Sequence, residues 1–170
     1  KGADPNARES WKGQTALMFA AVGDHGDVID LLVANGANVN DASSEIIVPE
    51  PNPDRRAGGF VYPRIPKGRM TALHFAARNG SLDATKALIR AGADLNLGDG
   101  EGTSAAVLAT LNGHPDTAIE LLNAGADPNV SDKFGRTVLF VATDMNTLDA
   151  SPRPAPPIVD DHSFVDVVKL

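Results

Sequence analysis

Chemistry needs side chains that donate, accept or coordinate at matched spacing, and the candidates in this sequence are four histidines and their acidic neighbours. His25, His74, His114 and His162 are the imidazoles, and there is no cysteine. Thiol nucleophiles, thiolate metal sites and disulfides are therefore excluded. Asp160-Asp161-His162 offers the donor types of a metal site, but three consecutive residues do not share one face, so a solvated loop is expected there. Asp94, Asn96 and Asp99 carry oxygen donors before Gly100 in the manner of a calcium loop. The terminal Glu and the five-ligand spacing are missing, and Asp and Asn so placed bond their own turn. Gly-x-x-x-x-Gly-Lys-Ser/Thr, His-Glu-x-x-His and Gly-x-Ser-x-Gly are absent. No residue set carries a reaction, so no catalytic residue, cofactor or metal is expected.

The elements that position these residues recur along the chain. Gly92-Ala93-Asp94-Leu95-Asn96 returns 33 residues later as Gly125-Ala126-Asp127-Pro128-Asn129, with earlier copies at Gly36-Ala37-Asn38-Val39-Asn40 and Gly2-Ala3-Asp4-Pro5-Asn6. A fixed period of this length marks a stacked solenoid, which presents a long surface rather than an enclosed pocket. Each copy carries two helical stripes. Leu73, Ala76 and Ala77 fall on one helix face; Leu82, Thr85, Leu88 and Ile89 make a second. Asn79-Gly80 ends the first helix and Gly92 the second, because Gly takes positive φ cheaply. Leu17, Ala20, Ala21, Val28, Leu31 and Leu32 repeat the pattern earlier; Ala109, Gly113, Ile119, Leu121 and Leu122 repeat it later, with Pro115 fitting a first helical turn. The Gly-Ala-Asp-x-Asn stretch reads as a turn leading into an extended finger. Leu17, Leu32, Leu73, Leu88 and Leu122 are the expected core. His25 and His114 hold the same repeat position, where an imidazole is expected to bond backbone at the start of the second helix.

Thr71-Ala72-Leu73-His74-Phe75-Ala76-Ala77, Asn112-Gly113-His114, Val28-Ile29-Asp30-Leu31-Leu32 and the Gly-Ala-Asp-x-Asn turns together resemble the ankyrin repeat. The resemblance covers about 125 of the 170 residues. It implies an all-α solenoid of helix-turn-helix units joined by finger-like β-turns, and gives His74 the role of turn bonding between units. The motif's Pro is replaced by Ala16, Ala72, Ala105 and Val138, and its His survives only as His74. The abundance of Ala and the Gly-Ala-Asp-Pro-Asn variant resemble bacterial members. The units expected are the end of a preceding repeat at 1–12, repeat A at 13–41, an inserted loop at 42–66, repeat B at 67–98, repeat C at 99–131, and repeat D at 132–170 with an insertion at about 147–163. The chain opens on a closing motif and stops early in a helix, so a piece of a longer array is expected.

The insertion at 42–66 is apolar and Pro-rich, which forbids helix and favours extended backbone. A cover over the A–B junction, a partner-clasping arm tipped by Phe60 and Tyr62, and disorder are the three readings it allows. Ser151-Pro152-Arg153-Pro154-Ala155-Pro156-Pro157 reads as a rigid spacer, with a proline-rich ligand for SH3-like domains as the alternative.

Composition bounds the function further. The formal net charge is −7, which repels phosphate backbones and counts against nucleic acid. Residues 53–70 are the exception, with Arg55, Arg56, Arg64, Lys67 and Arg69 against Asp54 alone. No apolar run is long enough to span a membrane, and the hydrophobic content is ordinary for a soluble protein. Zero Cys suits cytoplasm and bacterial periplasm alike.

The resemblance implies a concave face lined by fingers and first helices. The positions matched to it are Trp11, Lys12, Gln14 and Val22 in unit A, and Arg69, Met70, Arg78 and Asn79 in unit B. Unit C adds Glu101, Thr103, Leu111 and Asn112, and unit D adds Lys133, Phe134, Arg136, Asp144 and Met145. The expected function is a non-catalytic module binding a protein or peptide on that face, with the 42–66 loop as a possible second contact. The alternative is a regulatory or targeting segment of a larger enzyme or channel whose catalytic part lies elsewhere; a structural spacer is a third reading.

Overall fold

Thr15, Thr71 and Ser104 stand with extended backbone directly before an apolar run, and each starts a helix. Extended backbone at such a position turns the hydroxyl towards the first unpaired N–H groups. Ser104 accepts from the Val107 N–H at 3.4 Å. The computed structural model describes residues 2–46, 67–147 and 160–170. Its helices are α1 (Ala16–Val22), α2 (Gly26–Ala34), α3 (Ala72–Asn79), α4 (Leu82–Arg90), α5 (Ala105–Leu111), α6 (Pro115–Asn123), α7 (Val138–Thr147) and α8 (Phe164–Val168).

The helices form two layers. α1, α3, α5 and α7 contact one another in turn, as do α2, α4, α6 and α8, and each helix of the first layer packs on its sequence neighbour in the second. This is the stacked helix-turn-helix solenoid expected from the period. Small residues allow the close approach: Ala21, Ala76, Ala77, Ala84, Ala87, Ala109 and Ala118 are wholly buried between elements.

The first helix of each unit shares its faces between two neighbours. Leu17, Leu73 and Ala106, two residues past the starting Thr or Ser, are buried, and so are Met18, His74 and Val107 one position later. In α7 the equivalent Leu139 and Phe140 are more than half exposed, because among the described residues no further unit packs on them. Conversely Phe75 and Val141, buried against the preceding unit, correspond to an exposed Phe19 at the start of the stack. Leu32 and Leu122 are half-buried rather than buried. Leu32 belongs to the first helix pair, which has a neighbouring pair on one side only. Leu122 stands one residue past the repeat position of Leu88, and Leu121 fills that position instead.

The polar turns stitch the units together. Asn6, Asn40, Asn96 and Asn129 each donate a main-chain N–H to the side chain two residues earlier, at 2.9–3.1 Å. The side-chain oxygens of Asn6, Asn40 and Asn96 then accept the N–H of Asn38, Asp94 and Asp127 in the next unit, at 2.7–2.9 Å. The recurring Asn is thus an inter-unit rung, and Asp94 and Asp99 bond their own turns. At the A–B junction, β1 (Glu45–Ile46) and β2 (Lys67–Gly68) pair antiparallel, Glu45 with Gly68 and Ile46 with Lys67. The two ends of the described chain around the insertion therefore lie side by side on the A–B finger. Residues 47–66 and 148–159, with Phe60, Tyr62 and the Pro-rich spacer, lie outside the described residues.

The candidate protein-binding face

Each finger is organised by one carboxylate. Asp99 Oδ1 accepts the N–H groups of Glu101 and Thr103 at 2.8 and 2.9 Å. Asp132 Oδ1 does the same for Phe134 and Arg136, at 2.8 and 3.0 Å, and its Oδ2 pairs with the Arg136 guanidinium at 2.6 Å. Burial opposes ionisation of Asp132, but the Arg136 and Phe134 hydrogen bonds and the guanidinium outweigh it and hold the carboxyl below its ordinary range. In unit A the longer Glu9 takes this role, accepting from Trp11, Lys12 and Gln14. The Gln14 N–H is the leading cause that lowers its pKa. Asp99 is the acid expected from the sequence to bond its own turn, whereas Glu9 and Asp132 were not singled out there. The signal for Asp132 was available, since Asp99 and Asp132 stand at the same offset before Ser104 and Thr137.

Main-chain bonds join the fingers. Lys12 O accepts from Ser44, Gly68 O from Gly100, and Glu101 O from Lys133, at 2.8, 2.8 and 3.0 Å. This places the matched residues side by side. Trp11 is 82% exposed with Lys12 Nζ 4.3 Å over its ring. Phe134 is 56% exposed with Arg136 5.0 Å from its ring centre. Arg78 sits 5.0 Å from the Phe75 ring and reaches Met70 Sδ at 3.9 Å. Val22, Asn79, Asn112, Arg69 and Asp144 are exposed; Gln14 and Glu101 are half-buried, and Thr103 is buried. Met70, Leu111 and Met145 are half-buried and pack against the core. Lys133 is turned onto Gly100 O at 2.7 Å.

Arg69 has φ 53°, in a finger position that Gly13, Gly102 and Gly135 hold at 64°, 80° and 75°. A Cβ in this region is crowded. Arg69→Gly is expected to raise the unfolding free energy by about 1 kcal/mol. A urea melt showing a loss of stability instead would contradict the strained reading of this finger.

The histidines resolve differently. His74 is 1% exposed; Nδ1 accepts the Thr71 N–H at 3.2 Å and meets Thr71 Oγ1 at 2.8 Å. Nε2 is therefore the protonated nitrogen and donates to Thr103 O of the next unit at 3.1 Å. Burial is the main cause that pushes its pKa down, against the Asp99 carboxylate and nearby carbonyls. The rings of His25 and His114 bond no backbone among the described residues, contrary to the sequence expectation. They lie instead against Gly23 and Gly80, where a Cβ would meet them at 2.7 and 2.4 Å. Asp160-Asp161-His162 is an exposed bend, as expected, but it is tied to α6. Asp116 near the start of α6 accepts the N–H groups of Asp161 and His162 and the His162 Nδ1, the last at 2.6 Å, while Asp160 accepts the Asp116 N–H. Among the described residues no group of three His, Asp or Glu side chains is arranged to hold a metal ion.

A family model described as "Ankyrin repeats (3 copies)" matches residues 1–99, 54–132 and 73–150. The chain belongs to the ankyrin-repeat family. Ankyrin repeats are generally protein-protein interaction modules and generally non-catalytic. The chain is also similar to the ankyrin repeat and KH domain-containing protein mask-1 of Caenorhabditis elegans, 37% identical over 101 residues. That match covers 58% of the chain and 3% of the relative's length. The relative is an animal protein and lends no support to the bacterial texture noted in the sequence. No described helix of this ankyrin chain is long and apolar enough to cross a membrane.

Proposed function

We propose that this ankyrin array is a non-catalytic recognition module that binds a protein or peptide on the face formed by its fingers and first helices. The observation that carries the reading is Trp11. Its ring is almost wholly exposed on a finger whose backbone is fixed by Glu9, and it takes no part in the core. Exposed Trp and Arg on a rigid support are the residue types enriched at interface hot spots, since little ordering is left to lose on binding. Phe134, three fingers along, has the same arrangement: exposed ring, a cation alongside (Arg136 here, Lys12 at Trp11), and a carboxylate holding the turn. Lys12, Arg69, Arg78, Val22, Asn79 and Asn112 supply the surrounding contacts. Phe60 and Tyr62 of the 42–66 segment, outside the described residues, are proposed as a second contact. The binding partner is a polypeptide rather than nucleic acid, given the net charge of −7.

The test is capture of partners from source-cell lysate by the array and by a Trp11→Ala/Phe134→Ala variant. A protein held by the parent and lost by the still-folded variant is the expected result. Equal retention by both would move binding to the outer helices or the inserted segment and sink the proposal.

A further inference from the structure

The chain neutralises its cations unevenly. Arg8, Arg90, Arg136 and Lys169 each pair with an Asp. Lys12, Lys67, Arg69 and Arg78 make no ion pair among the described residues, nor do Lys86 on α4 and Lys133, which is turned onto Gly100 O. The first four are neighbours. Ser44 donates its N–H to Lys12 O at 2.8 Å and accepts the Arg69 N–H at 3.4 Å, so one residue bridges the two fingers. Lys67 lies two residues before Arg69 on β2. Arg78, in the last turn of α3, touches Met70, which follows Arg69 directly. Three acids stand nearby, one of them Glu101, which follows the Gly100 whose N–H bonds Gly68 O on the Arg69 finger. Glu9 already accepts three N–H groups, and Glu45 faces Gly68 across the strand pair. A cluster of unpaired cations is thus held together on a chain of net charge −7.

Arg69 makes the cluster more than a chance of composition. Three other fingers place Gly at this backbone position, and here a strained residue stands with its guanidinium unpaired. Strain kept at one position of a repeat marks a side chain retained for what it contacts. Trp11, under the Lys12 ammonium, and half-buried Met70, touched by Arg78, offer apolar surface next to the charges.

We infer that the fingers between units A and B take an acidic, extended peptide segment of the partner protein, its carboxylates on Arg69, Arg78, Lys12 and Lys67 and an apolar side chain against Trp11 and Met70. This rests on the finger face being the binding surface. Guanidinium forks suit carboxylates in bidentate geometry. A continuous polyanion suits the site less, because the cluster is short and the rest of the chain repels it.

The experiment is selection of short random peptides on the parent array, followed by anisotropy titration of the synthetic winners at low and high salt. They are titrated against the parent, Lys12→Glu/Arg69→Gly/Arg78→Glu, and Trp11→Ala/Phe134→Ala, with circular dichroism melts reporting folding. Arg69→Gly removes the charge while easing the backbone, so it does not confuse binding with misfolding. The expected winners carry Asp or Glu around an apolar residue, weaken with salt, and lose at least about tenfold in affinity for the charge variant. Neutral or basic winners that are lost with Trp11 and Phe134 but kept by the charge variant would overturn the acidic partner and leave the finger face standing. Winners indifferent to both variants, or no winners at all, would overturn both. A single-stranded oligonucleotide bound more tightly than the winners, and lost by the charge variant, would reassign the cluster to nucleic acid.

Discussion

Replacing Leu73 with alanine is expected to lower the unfolding free energy by roughly 2–5 kcal/mol. Leu73 is 1% exposed on α3, which touches α1, α4 and α5. The substitution leaves a void that rigid neighbouring helices fill only in part. In a stack the stability is close to a sum of unit and nearest-neighbour terms, and unit B takes part in two of those junctions. Leu139 is the control, since it holds the same repeat position and is 55% exposed. Leu139→Ala is expected to stay within about 0.5 kcal/mol of the parent. Urea melts of the two variants check the pair, and equal losses would refute the alignment of these positions.

His74→Ala is expected to cost about 2–4 kcal/mol, because it removes a buried ring and strands the Thr71 N–H and Thr103 carbonyl. The same residue sets a pH dependence. The unfolded imidazole takes a proton as pH falls through about 6.5, whereas the folded one, held neutral by burial and by its donated bond to Thr103, resists until lower pH. The unfolded state then binds more protons, so stability falls as pH drops below about 6.5. His162 acts in the opposite sense. Its bond to Asp116 raises its pKa, so its contribution is present below the unfolded value and fades as pH rises through the folded one. In a His162→Gln background, thermal melts across mildly acid pH should show the decline, and His74→Gln should flatten it. A decline that persists without His74 would contradict this assignment.

Much of the architecture was legible in the 33-residue period, because each helix pair can bury its stripe only against a copy of itself. The helix starts at Thr15, Thr71 and Ser104 were readable for a local reason: hydroxyl and apolar run adjoin in sequence. Glu9 was missed because its partners are main-chain N–H groups, and Asp132 because most of its partners are; the offset it shares with Asp99 was the one readable sign. The Asp116–His162 clasp was missed for another reason. Its halves are 44–46 residues apart and meet only when α8 docks on α6. Arg69 was visible as a finger residue, but its occupation of a glycine's backbone slot emerged only from φ. The rings of His25 and His114 were assigned hydrogen bonds by habit of residue type, whereas each lies against a Gly that leaves room for it.

The measurement that tests the account most directly is the affinity of the captured partner for three folded arrays: the parent, Trp11→Ala/Phe134→Ala, and an outer-helix variant, Asp27→Ala/Arg90→Ala. Finger-face recognition predicts a loss of about a hundredfold or more for the first variant and little change for the second. An unchanged affinity for the finger variant, with a loss on the outer helices, would contradict it.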